Sequence, residues 1–160
     1  MIKFCLDQWE KNKYKLKTTF ESEDFAKRFH DCEYEDLVVL VVDKILNPGI
    51  DFDWDCWDST RITMVDNGDY QGTLLFLIPR NTYQPSEDDY LMTYVGYGSC
   101  CGCDTLLQIR DVEGDYDSEL LNEVQIKDLM TLCKDLVTNM IRPYNAGGWR
   151  YNPDFDTVEY

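Results

Sequence analysis

Apolar residues recur over the first twenty positions at Ile2, Leu6, Trp9, Leu16 and Phe20, in steps of three, four or seven. That spacing draws one stripe on an amphipathic helix, with Lys13 at the missing step. Ser22-Glu23-Asp24 then offers a helix start, and a short helical turn is predicted through Phe25 and Phe29. Residues 34–46 are almost continuously apolar behind Glu35 and Asp36 and are stopped by Asn47-Pro48-Gly49. The valines leave a strand open over residues 37–42, but the acids ahead and the Pro-Gly stop favour a second helix.

The period then changes from helical to alternating. Residues 50–56 place Ile, Phe, Trp and Cys at even positions and Asp at odd ones, which predicts a strand or extended arm with Asp51, Asp53 and Asp55 on one edge. Residues 60–65 read as a strand and Asp66-Asn67-Gly68-Asp69 as a tight turn. Residues 70–78 are the hairpin partner, ending in an apolar run closed by Pro79 that fits a central strand buried on both faces. Residues 90–95 return as a third strand. Gly96, Gly98 and Gly102 punctuate the following loop, which holds Cys100, Cys101 and Cys103. Cys103-Asp104-Thr105 can cap a short helix over Leu106, Leu107 and Ile109. A last helix begins near Ser118 or Asn122 and runs to Arg142, where Pro143 ends it. Residues 143–160 form a polar, Gly-rich and aromatic tail, either a flexible arm or a segment ordered by docking. The expected fold is α+β, an antiparallel sheet of three or four strands with about three helices on one face. It is a single domain: a helical part over 1–48, sheet and cysteine loop over 50–110, a helix over 118–142 and the tail.

Charge sharpens this picture. The 160 residues carry 31 acids against 15 bases, a net of −16. Residues 1–20 hold five lysines against two acids, whereas residues 21–60 hold twelve acids against three bases. Such a field repels nucleic acid and anionic membranes and attracts basic surfaces or cations. The competing explanation is that the acids only keep the protein soluble. With no long apolar run and no leader, neither a membrane span nor a signal peptide is expected, and the chain reads as cytoplasmic. Seven cysteines in no regular framework suit a reducing compartment.

Trp9 with Asn12-Lys13, the helix opening at Tyr34-Glu35-Asp36-Leu37-Val38, Asp69-Tyr70-Gln71-Gly72-Thr73-Leu74, Thr82-Tyr83-Gln84-Pro85-Ser86, Tyr97-Gly98-Ser99-Cys100 and Gly102-Cys103-Asp104-Thr105-Leu106 together resemble an uncharacterised family of small acidic proteins from bacteriophages and low-GC Gram-positive bacteria. The similarity covers most of residues 6–140. In the family pattern a serine stands where this chain has Cys101, so that thiol is dispensable to whatever the loop does. The resemblance implies a phage or prophage setting and carries over no catalytic residue.

Candidate chemistry is sparse. Cys100 and Cys103 have the spacing of half a zinc site, but no second pair exists, so a packed turn explains them better than a metal. A redox reading wants a βαβ context, and the context here is antiparallel. A cysteine nucleophile wants an imidazole, and the single histidine, His30, sits in an acidic segment. Asp88 with Asp89, or Asp115 with Asp117, lack any surrounding motif. No catalytic residue and no cofactor is expected.

What remains is aromatic surface. Four tryptophans and eleven tyrosines exceed the needs of a core this size, so some face a partner, unless Trp9 and Trp54 are core and only Trp57 and Trp149 exposed. The expected contact is Asp51, Asp53, Trp54, Asp55, Trp57 and Asp58. On a strand, alternate carboxylates stand about 6.8 Å apart, close to twice the roughly 3.4 Å axial rise between phosphates on one DNA strand. The expected function is inhibition, by nucleic-acid mimicry, of a host defence nuclease or CRISPR effector through its basic surface. The rivals are a structural or accessory phage protein with incidental acidity, and a small metal or thiol enzyme centred on residues 100–104.

Overall fold

The computed structural model describes residues 2–112 and 119–142. Helix α1 (Ile2–Phe20) follows the predicted span, but its buried face runs through Cys5, Gln8, Trp9, Asn12, Leu16 and Phe20. Asn12, not Lys13, fills the missing step of the stripe. Its Nδ2 donates to Gln8 Oε1 at 3.1 Å and to the backbone carbonyl of Ile45 at 3.0 Å, so a buried amide is satisfied without water. Helix α2 (Glu23–Arg28) starts at Ser22, whose side chain accepts from the Phe25 N–H.

Helix α3 (Tyr34–Val41) opens on a reciprocal cap between Glu33 and Asp36 and widens into a π turn (Val42–Leu46) before a 3-10 turn at Asn47–Gly49. It is a helix despite its valines because burial of Leu37, Val38, Val41, Val42, Ile45 and Leu46 outweighs the weak propensity of β-branched residues. Packing of the π turn on α1, and of α3 itself against α5 (Glu123–Thr138), supplies that burial.

Strands β1 (Thr63–Asp66), β2 (Gly72–Pro79) and β3 (Tyr90–Tyr97) form one antiparallel sheet in the order β1-β2-β3. The fold is therefore α+β, with β2 central and ending at Pro79 as its sequence predicts. Only one face of β2 is in the core, through Phe76 and Ile78. Leu75 and Leu77 on the other face are half-buried beside Val65, Met92 and Tyr94, which corrects the expectation of burial on both faces. Mutual cover across the strands explains the unbroken apolar run.

Helix α4 (Thr105–Arg110) is capped by Asp104 and α5 (Glu123–Thr138) by Asn122. The last helix stops at Thr138 instead of reaching Arg142. Asn139 donates its side-chain amide to the Tyr94 carbonyl, Met140 enters the core, and Ile141 exchanges two backbone hydrogen bonds with Met92 along the outer edge of β3. Thr93, buried in the sheet, donates to the Leu136 carbonyl at 2.6 Å and ties β3 to α5. The acidic loop with Asp115 and Asp117, and the tail with Trp149, lie outside the described residues.

Candidate functional site: an acidic aromatic turn

Residues 50–58 are not a strand. Ile50 and Phe52 have extended backbones, but Asp53–Asp55 closes a 3-10 turn in which the Asp55 N–H bonds the Phe52 carbonyl and the Cys56 N–H bonds the Asp53 carbonyl. Alternation allows a strand only where another strand is present to pair with, and aspartate is a turn former. The equally spaced row of Asp51, Asp53 and Asp55 is thus replaced by a compact knob, and the match to phosphate spacing goes with it.

The base of the knob is fixed by residues that the sequence assigns to partner contact. Trp57 is 4% exposed, its N–H donates to Asn47 Oδ1 at 2.8 Å, and its carbonyl accepts from Asn47 Nδ2 at 2.9 Å. Arg80 lies over its ring at 4.7 Å. The same guanidinium donates to the Asp55 carbonyl at 3.0 Å and pairs with the Asp55 carboxylate at 3.4 Å. Asp58 caps the next turn, accepting from the Thr60 N–H at 3.0 Å, from the Thr60 hydroxyl and from Arg61 Nε, both at 2.6 Å. Those bonds, the Thr60 hydroxyl foremost, hold its carboxyl below the usual value. Trp57 and Asp58 are therefore structural, and Asp55 is shared between the turn and Arg80.

Asp51, Asp53 and Trp54 remain directed outward, joined by Phe52, which sequence reasoning passed over. Trp54 is 62% and Phe52 54% exposed, and their rings stack with centroids 4.8 Å apart and planes within 12°. The Phe-x-Trp spacing inside an aspartate run is the signal that identifies the pair. Two parallel aromatic faces flanked by carboxylates can stack on a planar group and attract cations at once. No protein-family model, curated protein or solved structure matches the chain.

The cysteine loop is a second place with chemistry. Cys100, Cys101 and Cys103 are exposed free thiols. The Cys103 N–H and thiol both donate to the Cys100 carbonyl, at 3.0 and 3.2 Å, and the Cys100 N–H donates to Cys103 Sγ at 3.1 Å. Gly98 is required beside it, because a Cβ there would stand 2.6 Å from both the carbonyl and the sulfur of Cys103. The hydrogen bond from Cys103 lowers the Cys100 pKa and raises that of Cys103. Among the described residues no group of three or more histidine, cysteine, aspartate or glutamate side chains is placed to hold a metal ion. No helix among them is long and apolar enough to cross a membrane. His30 is exposed and distant in sequence from every thiol of the loop.

Proposed function

We propose that this chain is an acidic binding protein that occupies the nucleic-acid groove of a basic enzyme and thereby inhibits it. The observation that carries the reading is the stacked Phe52–Trp54 pair held between Asp51, Asp53 and Asp55 on a base pinned by Arg80. Single-stranded nucleic acid is bound by cationic grooves with planar side chains on which bases stack. Parallel rings with carboxylates beside them offer such a groove both of the groups it is built to receive. Mimicry here rests on stacking plus charge, in place of a regular row of carboxylates.

The net charge of −16 supplies long-range attraction, and Trp54 supplies the desolvated anchor. Because Trp57, Asn47 and Arg80 already fix the turn, little ordering entropy is lost when it docks. The resemblance to small acidic phage proteins favours a bacterial defence enzyme as the target class, restriction nucleases and CRISPR effectors included, by association with a phage setting. The test is inhibition of nucleic-acid binding by such an enzyme with parent protein and with the Asp51→Asn, Asp53→Asn, Trp54→Ala triple variant. The reading expects the parent to displace the nucleic acid and the variant, folded as before, to fail. Equal displacement by both would sink it.

A further inference from the structure

The two edges of the sheet are treated differently. In the β1–β2 register the Asn67 N–H bonds the Thr73 carbonyl, so odd-numbered residues of β1 face β2. The same parity across β2 and β3 turns Met92 and Tyr94 toward the far edge, where Ile141 and the Asn139 side chain take their backbone groups. On β1 it turns the N–H and C=O of Met64 and Asp66 away from the sheet. All four residues of β1 are exposed, and among the described residues no strand pairs with this edge, which is open in that sense. Natural edges are blunted by proline, bulges, shortness or inward-pointing charge; β1 has no proline and pairs in unbroken register, and its blunting is limited to its four-residue length and Asp66 on the cleft side.

Beneath the open edge lies a cavity of about 440 Å³ between the sheet and helices α3 and α4. Met64, Leu74, Leu106 and Leu107 give it an apolar floor, and its lining includes four carboxylates, Glu33, Glu35, Asp66 and Asp104, against the single guanidinium of Arg110. Arg110 is already engaged, donating to the Cys32 carbonyl and pairing with Glu33 at 3.7 Å. Asp104 is likewise committed: it accepts from the Tyr34 hydroxyl at 3.0 Å, the Leu107 N–H at 2.9 Å and the Gly98 N–H at 3.2 Å. That network locks α3, the cysteine loop and α4 together, so the cleft wall is preformed. Asp66, which accepts from the Tyr97 hydroxyl at 2.7 Å, and exposed Glu35 are left at the mouth.

We infer that the β1 edge and this cleft form a docking site for an extended basic segment of a partner protein, added as a fourth strand with alternate lysine or arginine side chains directed into the cleft. Backbone groups of Met64 and Asp66 supply the ladder. Side chains paired opposite Met64 and Asp66 share their face of the sheet, which is the cleft side. An inserted lysine or arginine lays its methylene stem along Met64 and Leu74 and its charge among Asp66, Glu33 and Glu35. The occupant's charge rests on the proposed function; the site itself is separate from the Phe52–Trp54 turn.

The probe is an octapeptide of alternating lysine and valine, titrated against the full chain and followed by amide chemical shifts. Saturable binding that shifts Met64, Asp66, Leu74 and Leu107 is expected. An alternating glutamate–valine peptide and a backbone N-methylated lysine–valine peptide should each bind at least tenfold more weakly. Met64→Lys, which puts a charge into the cleft at an exposed position, should lower affinity at least tenfold. Glu35→Gln should lower it about threefold, the size of one exposed ion pair. Trp54→Ala should leave it unchanged. No saturable binding, equal binding of the N-methylated peptide, or shifts centred on residues 51–55 and lost in Trp54→Ala would overturn the inference. The last outcome would hand the peptide to the turn and leave the proposed function standing.

Discussion

The guanidinium of Arg80 lies 4.7 Å over the Trp57 ring while its Nη1 donates to the Asp55 carbonyl at 3.0 Å. One side chain, at the end of the central strand, thereby joins the sheet to the acidic turn. Removing it should loosen the turn before it unfolds the sheet. Arg80→Ala is expected to cost about 1–3 kcal/mol, from a partly buried cation–π contact and a charged hydrogen bond. Acrylamide quenching should rise as Trp57 becomes accessible. Unchanged quenching would mean that Asn47 alone holds the tryptophan.

Trp54 and Trp57 should behave oppositely despite standing three positions apart. Trp57→Ala leaves a cavity and takes away the ring under the Arg80 guanidinium, while the Asn47 bonds to the backbone of residue 57 persist, and about 3–5 kcal/mol of stability should be lost. Trp54→Ala touches exposed surface and should change stability by less than about 0.5 kcal/mol, while lowering partner affinity by about 2 kcal/mol, roughly thirtyfold. Thermal unfolding and partner titration of the two variants separate the roles.

Thiol reactivity should rank the cysteines. Cys100 is exposed and its pKa is lowered by the hydrogen bond from Cys103, so near neutral pH its thiolate fraction exceeds that of an ordinary thiol. Burial pushes Cys5 and Cys32 up to about 11, and Cys133 higher still. Timed alkylation with mass mapping should modify Cys100 ahead of Cys103, and the buried three only after unfolding. Replacing Cys103 by alanine removes the side-chain donor and should slow the Cys100 reaction.

Asp58 should leave a mark on the acid limb of stability. Its carboxyl is held low by the Thr60 hydroxyl, against the opposing effect of burial, and further by Arg61, so folding favours its charged form. The contribution is complete above the ordinary carboxylate value and disappears as pH falls through the lowered folded value. Asp58→Ala should cost about 1 kcal/mol at neutral pH, the usual size of a lost cap. The gap between parent and variant should close at the acid end of a urea-denaturation series.

Buried amides offer a stability test away from the turn. Asn12→Leu removes the donor to the Ile45 carbonyl and to Gln8 Oε1, leaving two acceptors dry between α1 and the π turn. A loss of about 1–3 kcal/mol is expected, read as a lower Tm. A rise in Tm would show that the extra apolar packing outweighs both bonds.

Helix α1 was legible because its stripe is local, and so were the caps at Ser22, Asp104 and Asn122, where a cap residue and its partner lie three positions apart. Asn12 was passed over because its partner, Ile45, belongs to another element and nothing near Asn12 announces it. Residues 50–58 misled for a related reason. Their alternation is real, but the contacts that decide their shape, Trp57 with Asn47 and Arg80 with Asp55, join residues ten and twenty-five positions apart. Composition could say that aspartates and tryptophans share this stretch. It could not say that Trp54 points out, that Trp57 points in, or that Phe52 stacks on Trp54. The open edge of β1 was equally illegible, since it depends on which parity of residues bonds β2, and register is fixed only in the assembled sheet.

The central claim is that the turn and a nucleic acid compete for one basic groove. The direct measurement immobilises the protein, loads it with the defence enzyme it retains from a Gram-positive host lysate, and challenges the complex with a single-stranded oligodeoxynucleotide. The account predicts that the oligonucleotide releases the enzyme in proportion to its concentration, and that retention falls steeply with salt as screening shortens the Debye length to about 3 Å at 1 M. Little enzyme should be retained on the Asp51→Asn, Asp53→Asn, Trp54→Ala variant. An enzyme that stays bound while carrying the oligonucleotide, or is held equally by that variant, contradicts the account.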